Sequence, residues 1–226
     1  MRSLFLALVV VVISTPLFAS EANPFAVGAH TQVRMTSYSC DQSAETHGMS
    51  FSGMPDIGIN AYIPVHKKNP VGITLDLALA NYKNNYTASS VDYSRSLSYL
   101  TITPGIAFDY ATFGIAIGLP MGYKRMNETS GAEENDKWSY LGSGGNTFEK
   151  TGDNAKDMMN MSIEARLGAA YPIMKQADGS RLNLTGHVGY MVTKLFKEGY
   201  YPTTNTERSN GSMLSIALGM QYYFVL

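Results

Sequence analysis

Recurring runs of alternating apolar and polar residues, the lack of any second long apolar run behind the N-terminal leader, and links that alternate short with long predict an all-β fold. The expected architecture is a transmembrane antiparallel up-and-down β-barrel of eight strands, with both termini periplasmic and a signal peptide in front.

The leader comes first. Met1 and Arg2 precede an apolar run over 4–13, then Ser14, Thr15, Pro16 and the small residues Ala19, Ser20 and Ala22. This pattern predicts a secretory signal peptide over 1–19, cleaved after Ala19, and a single barrel domain over 20–226. The run is shorter than the ~20 apolar residues a spanning helix needs. No cysteine follows it closely enough for lipoprotein processing, and the chain's one cysteine, Cys40, leaves no intramolecular disulfide to form. A formal net charge of -1 gives no reason to expect nucleic acid as a partner.

Each strand is read from its period of two, which sends alternate side chains to opposite faces. In the first, over 25–35, Phe25, Val27, Ala29, Thr31, Val33 and Met35 oppose Ala26, Gly28, His30, Gln32 and Arg34. The second, over 56–65, sets Ile57, Ile59, Ala61, Ile63 and Val65 against Asp56, Gly58, Asn60, Tyr62 and Pro64. The third, over 71–80, sets Ile73, Leu75, Leu77 and Leu79 against Gly72, Thr74, Asp76 and Ala78. The fourth and fifth, over 100–108 and 113–124, carry Ile102, Ile106, Ile115, Ile117, Leu119, Met121 and Tyr123 on one face, with Thr101, Thr103, Ala116, Gly118, Gly122 and Lys124 on the other. The sixth, over 159–171, places Met159, Ile163, Leu167 and Tyr171 opposite Glu164, Arg166 and Gly168; the seventh, over 182–192, places Leu184, Val188 and Tyr190 opposite Asn183, Thr185 and His187. The eighth, over 213–226, sets Leu214, Ile216, Leu218, Met220, Tyr222 and Phe224 against Ser215, Ala217, Gly219, Gln221 and Tyr223.

The runs are about ten residues or more, longer than the roughly 5–6 of a soluble strand and long enough to cross a bilayer at a tilt. The links over 66–70, 109–112 and 173–181 are short, while those over 37–54, 83–95, 125–157 and 194–212 are long and polar. Outward Phe25, Phe108, Phe113, Tyr171 and Phe224 fall at one expected rim, and Tyr123 and Tyr190 at the other, as two aromatic girdles would. Pro104 and Pro120 sit within strands, where a missing N–H marks a bulge; Pro64 and Pro172 sit near strand ends.

Eight strands enclose an interior about wide enough for side chains to fill. Arg34, Asp56, Asp76, Lys124, Glu164, Arg166 and His187 take inward parity and are the candidate lumenal polar network, since charges away from water must pair. Asp76 and Glu164 are expected to balance Arg166, and Asp56 to meet Arg34 or Lys124. His30 and His187 with Gln221 are thin support for a metal, so no metal and no cofactor is expected. No histidine faces outward beside a serine and an acid, so no enzyme is expected either. In the long links, Trp138, Tyr140, Tyr200 and Tyr201 are candidate surface contacts among polar residues.

With its alternating terminal strand ending Tyr222, Phe224 and Leu226 on one face, the chain resembles the small eight-stranded outer-membrane β-barrel proteins of Gram-negative bacteria, the class of the OmpA transmembrane domain, OmpX and OmpW. Members of that class usually close on an aromatic, and Leu226 departs from this. The resemblance implies outer-membrane localisation, contact with outer-membrane lipid and lipopolysaccharide, recognition of the last strand by the barrel-assembly machinery, and an extracellular ligand for the loops. It leaves two functions open: a filled barrel with a structural or surface-interacting role, or a narrow porin-like channel for a small, hydrophobic solute.

Overall fold

A computed structural model of the chain describes residues 25–40, 45–65, 70–88, 90–134, 138–141, 147–150, 156–197, 200–202 and 211–226. The expected leader over 1–19 lies outside the described residues. Eight strands form the ring: β1 (Ala26–Cys40), β2 (Asp56–Pro64), β3 (Val71–Ala88), β4 (Val91–Phe108), β5 (Ala111–Asn127), β6 (Ser162–Lys175), β7 (Arg181–Met191) and β8 (Gly211–Val225). Each pairs antiparallel with its neighbour in sequence, and β8 closes onto β1 from Ala26↔Val225 to Cys40↔Gly211. The two chain-terminal strands therefore begin and end at the same rim. Closure gives each strand a partner on both sides, so no sheet edge is left with unpaired N–H and C=O groups in hydrocarbon.

The parity of the side chains shows which way the wall faces. Ile57 and Ile59 are each 61% exposed and Leu218 is 59% exposed, whereas Arg34, Asp56 and Glu164 are each 1% exposed. Apolar outside and charged inside is the arrangement of a membrane barrel, the reverse of a soluble one.

The strands differ in detail from the sequence expectation. The polar stretch over 83–95 was expected to be a long loop, but β3 and β4 stay in register as far as Ala88↔Val91. This hairpin extends well past the apolar band, where its alternate positions carry Asn81, Lys83 and Asn85 against Ser98, Ser96 and Ser94. A strand that leaves the lipid needs no apolar face, so its pairing produces no hydrophobic signal.

In β5, the register shifts between Ser98↔Gly122 and Tyr99↔Pro120, which leaves Met121 as a bulge residue directly after the proline. One extra residue reverses the parity beyond it. Tyr123, expected in the outer girdle, turns inward onto the buried core, and Lys124, expected in the lumen, turns outward. Pro172 likewise precedes a register shift, between Pro172 and Met174. Pro104 does not: the register is unchanged from Ile102↔Ile117 to Gly105↔Gly114, so the missing N–H interrupts the ladder without displacing it.

Met159, placed on the lipid face by alternation, is buried at 1% exposure because the chain over 156–160 folds into the barrel mouth before β6 begins at Ser162. On the other rim, Phe25, Phe108, Phe113, Tyr171 and Phe224 are all exposed, as the girdle requires.

Leu77 sits in the middle of the apolar band, between Ile59 of β2 and Ile102 of β4. Leu77→Arg is expected to destabilise the membrane-inserted barrel by about 2–4 kcal/mol, read from urea-dependent folding into vesicles.

Candidate functional site

The site is the lumen, and its centre is an ionic cluster. Inward parity on β1, β2 and β6 brings Arg34, Asp56, Glu164 and Arg166 together from three strands. Arg34 donates to Asp56 Oδ2 through Nε at 3.0 Å and Nη2 at 2.6 Å, and through Nη1 to Glu164 Oε1 at 3.3 Å and Ser215 Oγ at 3.0 Å. Arg166 Nε donates to Glu164 Oε2 at 2.7 Å, and its Nη1 and Nη2 reach Thr103 Oγ1 and the Tyr82 hydroxyl, each at 3.3 Å. Tyr82 OH and Ser215 Oγ donate to the same carboxylate at 2.9 and 2.5 Å. Asp56 Oδ1 accepts the backbone N–H of Asn81 at 2.7 Å.

Two guanidinium groups thus face two carboxylates, and the cluster is neutral. Burying a charge is repaid only when geometry and further hydrogen bonds satisfy the rest of each group, and here hydroxyls complete both ends. The Arg34 guanidinium also lies 4.4 Å above the centroid of the Tyr82 ring. Room for the Glu164 carboxylate comes from Gly189 on the neighbouring β7, where any Cβ would strike both that carboxylate and Ser215 Oγ.

Towards the long-loop rim the lumen turns apolar. Tyr38, Leu97, Tyr99, Met191 and Met213 project from the wall onto Met158, Met159, Leu195 and Phe196, which come from chain folded into the mouth. The two inserted segments hold one another: Asn160 N donates to the Leu195 carbonyl at 2.8 Å, Lys197 N to that of Met158 at 2.8 Å, and the Asn160 amide to those of Lys194 and Phe196. Tyr123 closes the cluster edge-on against Phe196, at 6.1 Å between ring centroids. Towards the short-turn rim there is instead a polar cavity of about 160 Å³, bounded above by Arg166 and reaching the rim at Asp109, Tyr110 and Lys175.

The structure thus brings Arg34, Asp56, Glu164 and Arg166 into contact. Asp76 stands lower, with Oδ2 3.1 Å from His30 Nδ1, and among the described residues the carboxylate in ion-pair contact with Arg166 is that of Glu164. His187 lines the cavity. Lys124 is not lumenal: past the Met121 bulge it pairs with Glu133 at 2.9 Å on the exposed rim.

His30 and Gln221 face one another across β1 and β8, but His187 is level with Ala217, four residues along β8. Among the described residues, no three or more His, Cys, Asp or Glu side chains are placed to hold a metal ion. Trp138, Tyr140, Tyr200 and Tyr201 lie in short strands that join two loops, with Tyr200↔Tyr140 and Pro202↔Trp138 in register and Trp138↔Lys150 on the other side.

Sequence reasoning missed Tyr82, Thr103 and Ser215 as partners of the charges. Tyr82 fell between the third strand, read as ending at 80, and the loop read from 83. Ser215 and Thr103 had inward parity on their strands, which was the available signal.

Glu164→Ala would leave Arg34 and Arg166 buried without their shared carboxylate. The expected loss is about 3–5 kcal/mol of unfolding free energy in vesicles. Gly189→Val should weaken the barrel by the same route, since its side chain displaces the Glu164 carboxylate.

No protein-family model matches the sequence, and no curated protein matches it. Among solved structures the chain is similar to the attachment invasion locus protein Ail of Yersinia pestis, solved in complex with the heparin analogue sucrose octasulfate, at 13% identity and a TM-score of 0.39, over 89% of this chain and 99% of that one. It is similar to the Neisserial surface protein NspA at 12% identity and a TM-score of 0.38, over 88% and 97% of the two chains. A third similar structure is the outer membrane protein AlkL in lipid bilayers, at 10% identity and a TM-score of 0.41, over 94% and 96%. At these identities and TM-scores the likenesses carry no argument, and the fold is read from the chain itself. By the ring of eight strands, the apolar exterior and the enclosed charges, the fold is that of a small eight-stranded β-barrel of the outer-membrane type.

Proposed function

We propose that this chain is a non-enzymatic integral outer-membrane barrel whose lumen is closed and whose working surface is the long-loop end. The observation that carries the reading is the buried ionic cluster joining β1, β2 and β6, capped by the apolar stopper of Met158, Met159, Leu195 and Phe196. An aqueous path would have to part satisfied ion pairs and then displace apolar side chains with zero to four per cent exposure. The parts free to meet a partner are the β3–β4 hairpin, which projects beyond the band, and the small sheet of residues 138–141, 147–150 and 200–202. In this reading the outer face contacts lipid and lipopolysaccharide, the assembly machinery recognises β8, and the loops take an extracellular ligand. The sulfated glycan analogue bound by Ail is one chemistry to try.

A second reading rests on the make-up of the stopper. It is inserted chain rather than barrel wall, held together by its own backbone hydrogen bonds, so it can leave the mouth as a unit and uncover an apolar entry suited to a small hydrophobic solute.

In planar bilayers the purified barrel is expected to be electrically silent. Steady open events whose conductance changes in Glu164→Gln would overturn the closed-lumen reading, and protein-dependent uptake of a small hydrophobic solute into liposomes would favour the second. Deletion of residues 128–155 is expected to abolish surface binding by intact cells while the barrel keeps its heat-modifiable gel mobility; binding that survives the deletion would remove the loop from the role.

A further inference from the structure

The two longest links between ring strands, 128–161 and 192–210, are joined to one another at two heights. In the mouth, Asn160 N donates to the Leu195 carbonyl and Lys197 N to that of Met158, each at 2.8 Å, and Met159 bridges Phe196 in antiparallel fashion. The Asn160 amide adds bonds to the Lys194 and Phe196 carbonyls at 2.9 and 2.8 Å, and Lys197 Nζ reaches the Asp157 carbonyl at 2.7 Å. Farther along the same two links, the strand over 138–141 pairs with that over 200–202, from Tyr200↔Tyr140 to Pro202↔Trp138. The stopper and the small surface sheet are therefore two seams between one pair of links.

The seams are also near one another along the chain. Two residues separate Lys197 from Tyr200, a stretch that spans at most about 11 Å, and five separate Lys150 from Lys156. Connections this short leave little slack. Towards the barrel wall, Leu195 N donates to the Gly211 carbonyl at 3.3 Å, and the stopper packs on Tyr99, Met191 and Met213. Directional bonds tie the two segments to each other, while mainly non-directional apolar contact seats them in the mouth. A unit held in this way moves as a whole and carries along what is tethered to it.

We infer that the surface sheet and the stopper are one mechanical element, so that contact at the sheet sets the position of the stopper. A partner that holds the strands 138–141 and 200–202 together keeps the mouth closed, and one that parts them frees it. The coupling is reciprocal, because a free energy shared by two sites acts in both directions. It rests on the reading that the long-loop end is the working surface, and it joins that surface to the apolar entry behind the stopper.

Amide hydrogen exchange on the full chain in lipid nanodiscs tests the coupling without asking whether the lumen conducts or what the loops bind. In the unaltered chain, Asn160 and Lys197 are expected to be protected to within about threefold of each other, and both less than the ring strands. Ser139→Pro combined with Tyr140→Pro removes N–H groups facing both neighbours of the strand 138–141. It is expected to speed exchange at Asn160 and Lys197 together by about tenfold, with the ring pair Val33 and Leu218 unchanged. In the other direction, Asn160→Leu deletes two bonds of the lower seam and is expected to speed exchange over 138–141 and 200–201. Asn160 and Lys197 exchanging at their unaltered rates once the sheet is broken would overturn the inference. So would a sheet that exchanges as before in Asn160→Leu, or unequal protection of the two segments in the unaltered chain. Heat-modifiable gel mobility reports that each variant is folded, and the unaltered chain decides the matter even where a variant does not fold. Conductance and ligand binding bear on the functional readings and leave this result as it stands.

Discussion

Every feature of this barrel follows from one constraint: hydrocarbon offers no hydrogen bonds. A strand inside a membrane must therefore find both its neighbours within the protein, and eight strands do so only by closing β8 onto β1. The same constraint sorts the side chains. Isoleucine, leucine and phenylalanine take the outer rows, and Arg34, Asp56, Glu164 and Arg166 are left with nowhere to go but the centre, where there is too little water to solvate them.

The ionic cluster answers that second problem, and it also ties the barrel across its width. Arg34 on β1 reaches Asp56 on the adjoining β2 and Glu164 on β6, and Tyr82 on β3 donates to the same carboxylate as Arg166. Bonds of this kind are geometrically demanding, so each long side chain needs a small one beside it. Gly189 and Ser215 supply that space around Glu164. Small residues on β7 and β8 are thus as much a part of the cluster as its charges.

Depth then divides the lumen into three environments. Chain folded in from the long-loop side makes an apolar stopper, the charges lock the middle, and the short-turn side keeps an open polar space. A wall so well satisfied at its centre has little reason to rearrange.

The sequence alone determined which faces look outward, how many strands cross, and which charges must meet inside, because a period of two is written residue by residue and needs no knowledge of neighbours. Arg34, Asp56, Glu164 and Arg166 were legible on that basis. Lys124 and Tyr123 were not, since a single bulge at Met121 reverses every position after it and is visible only in the pairing with Ser98 and Tyr99. Nor was the β3–β4 extension, whose strands leave the lipid and so lose the apolar rows that would announce them. Only the tertiary structure decided that Met159 folds inward, that Tyr82 joins the charges, and that Asn60, Asn183 and His187 share one cavity, because these are meetings between distant strands whose relative heights are set by barrel stagger and not by any local pattern.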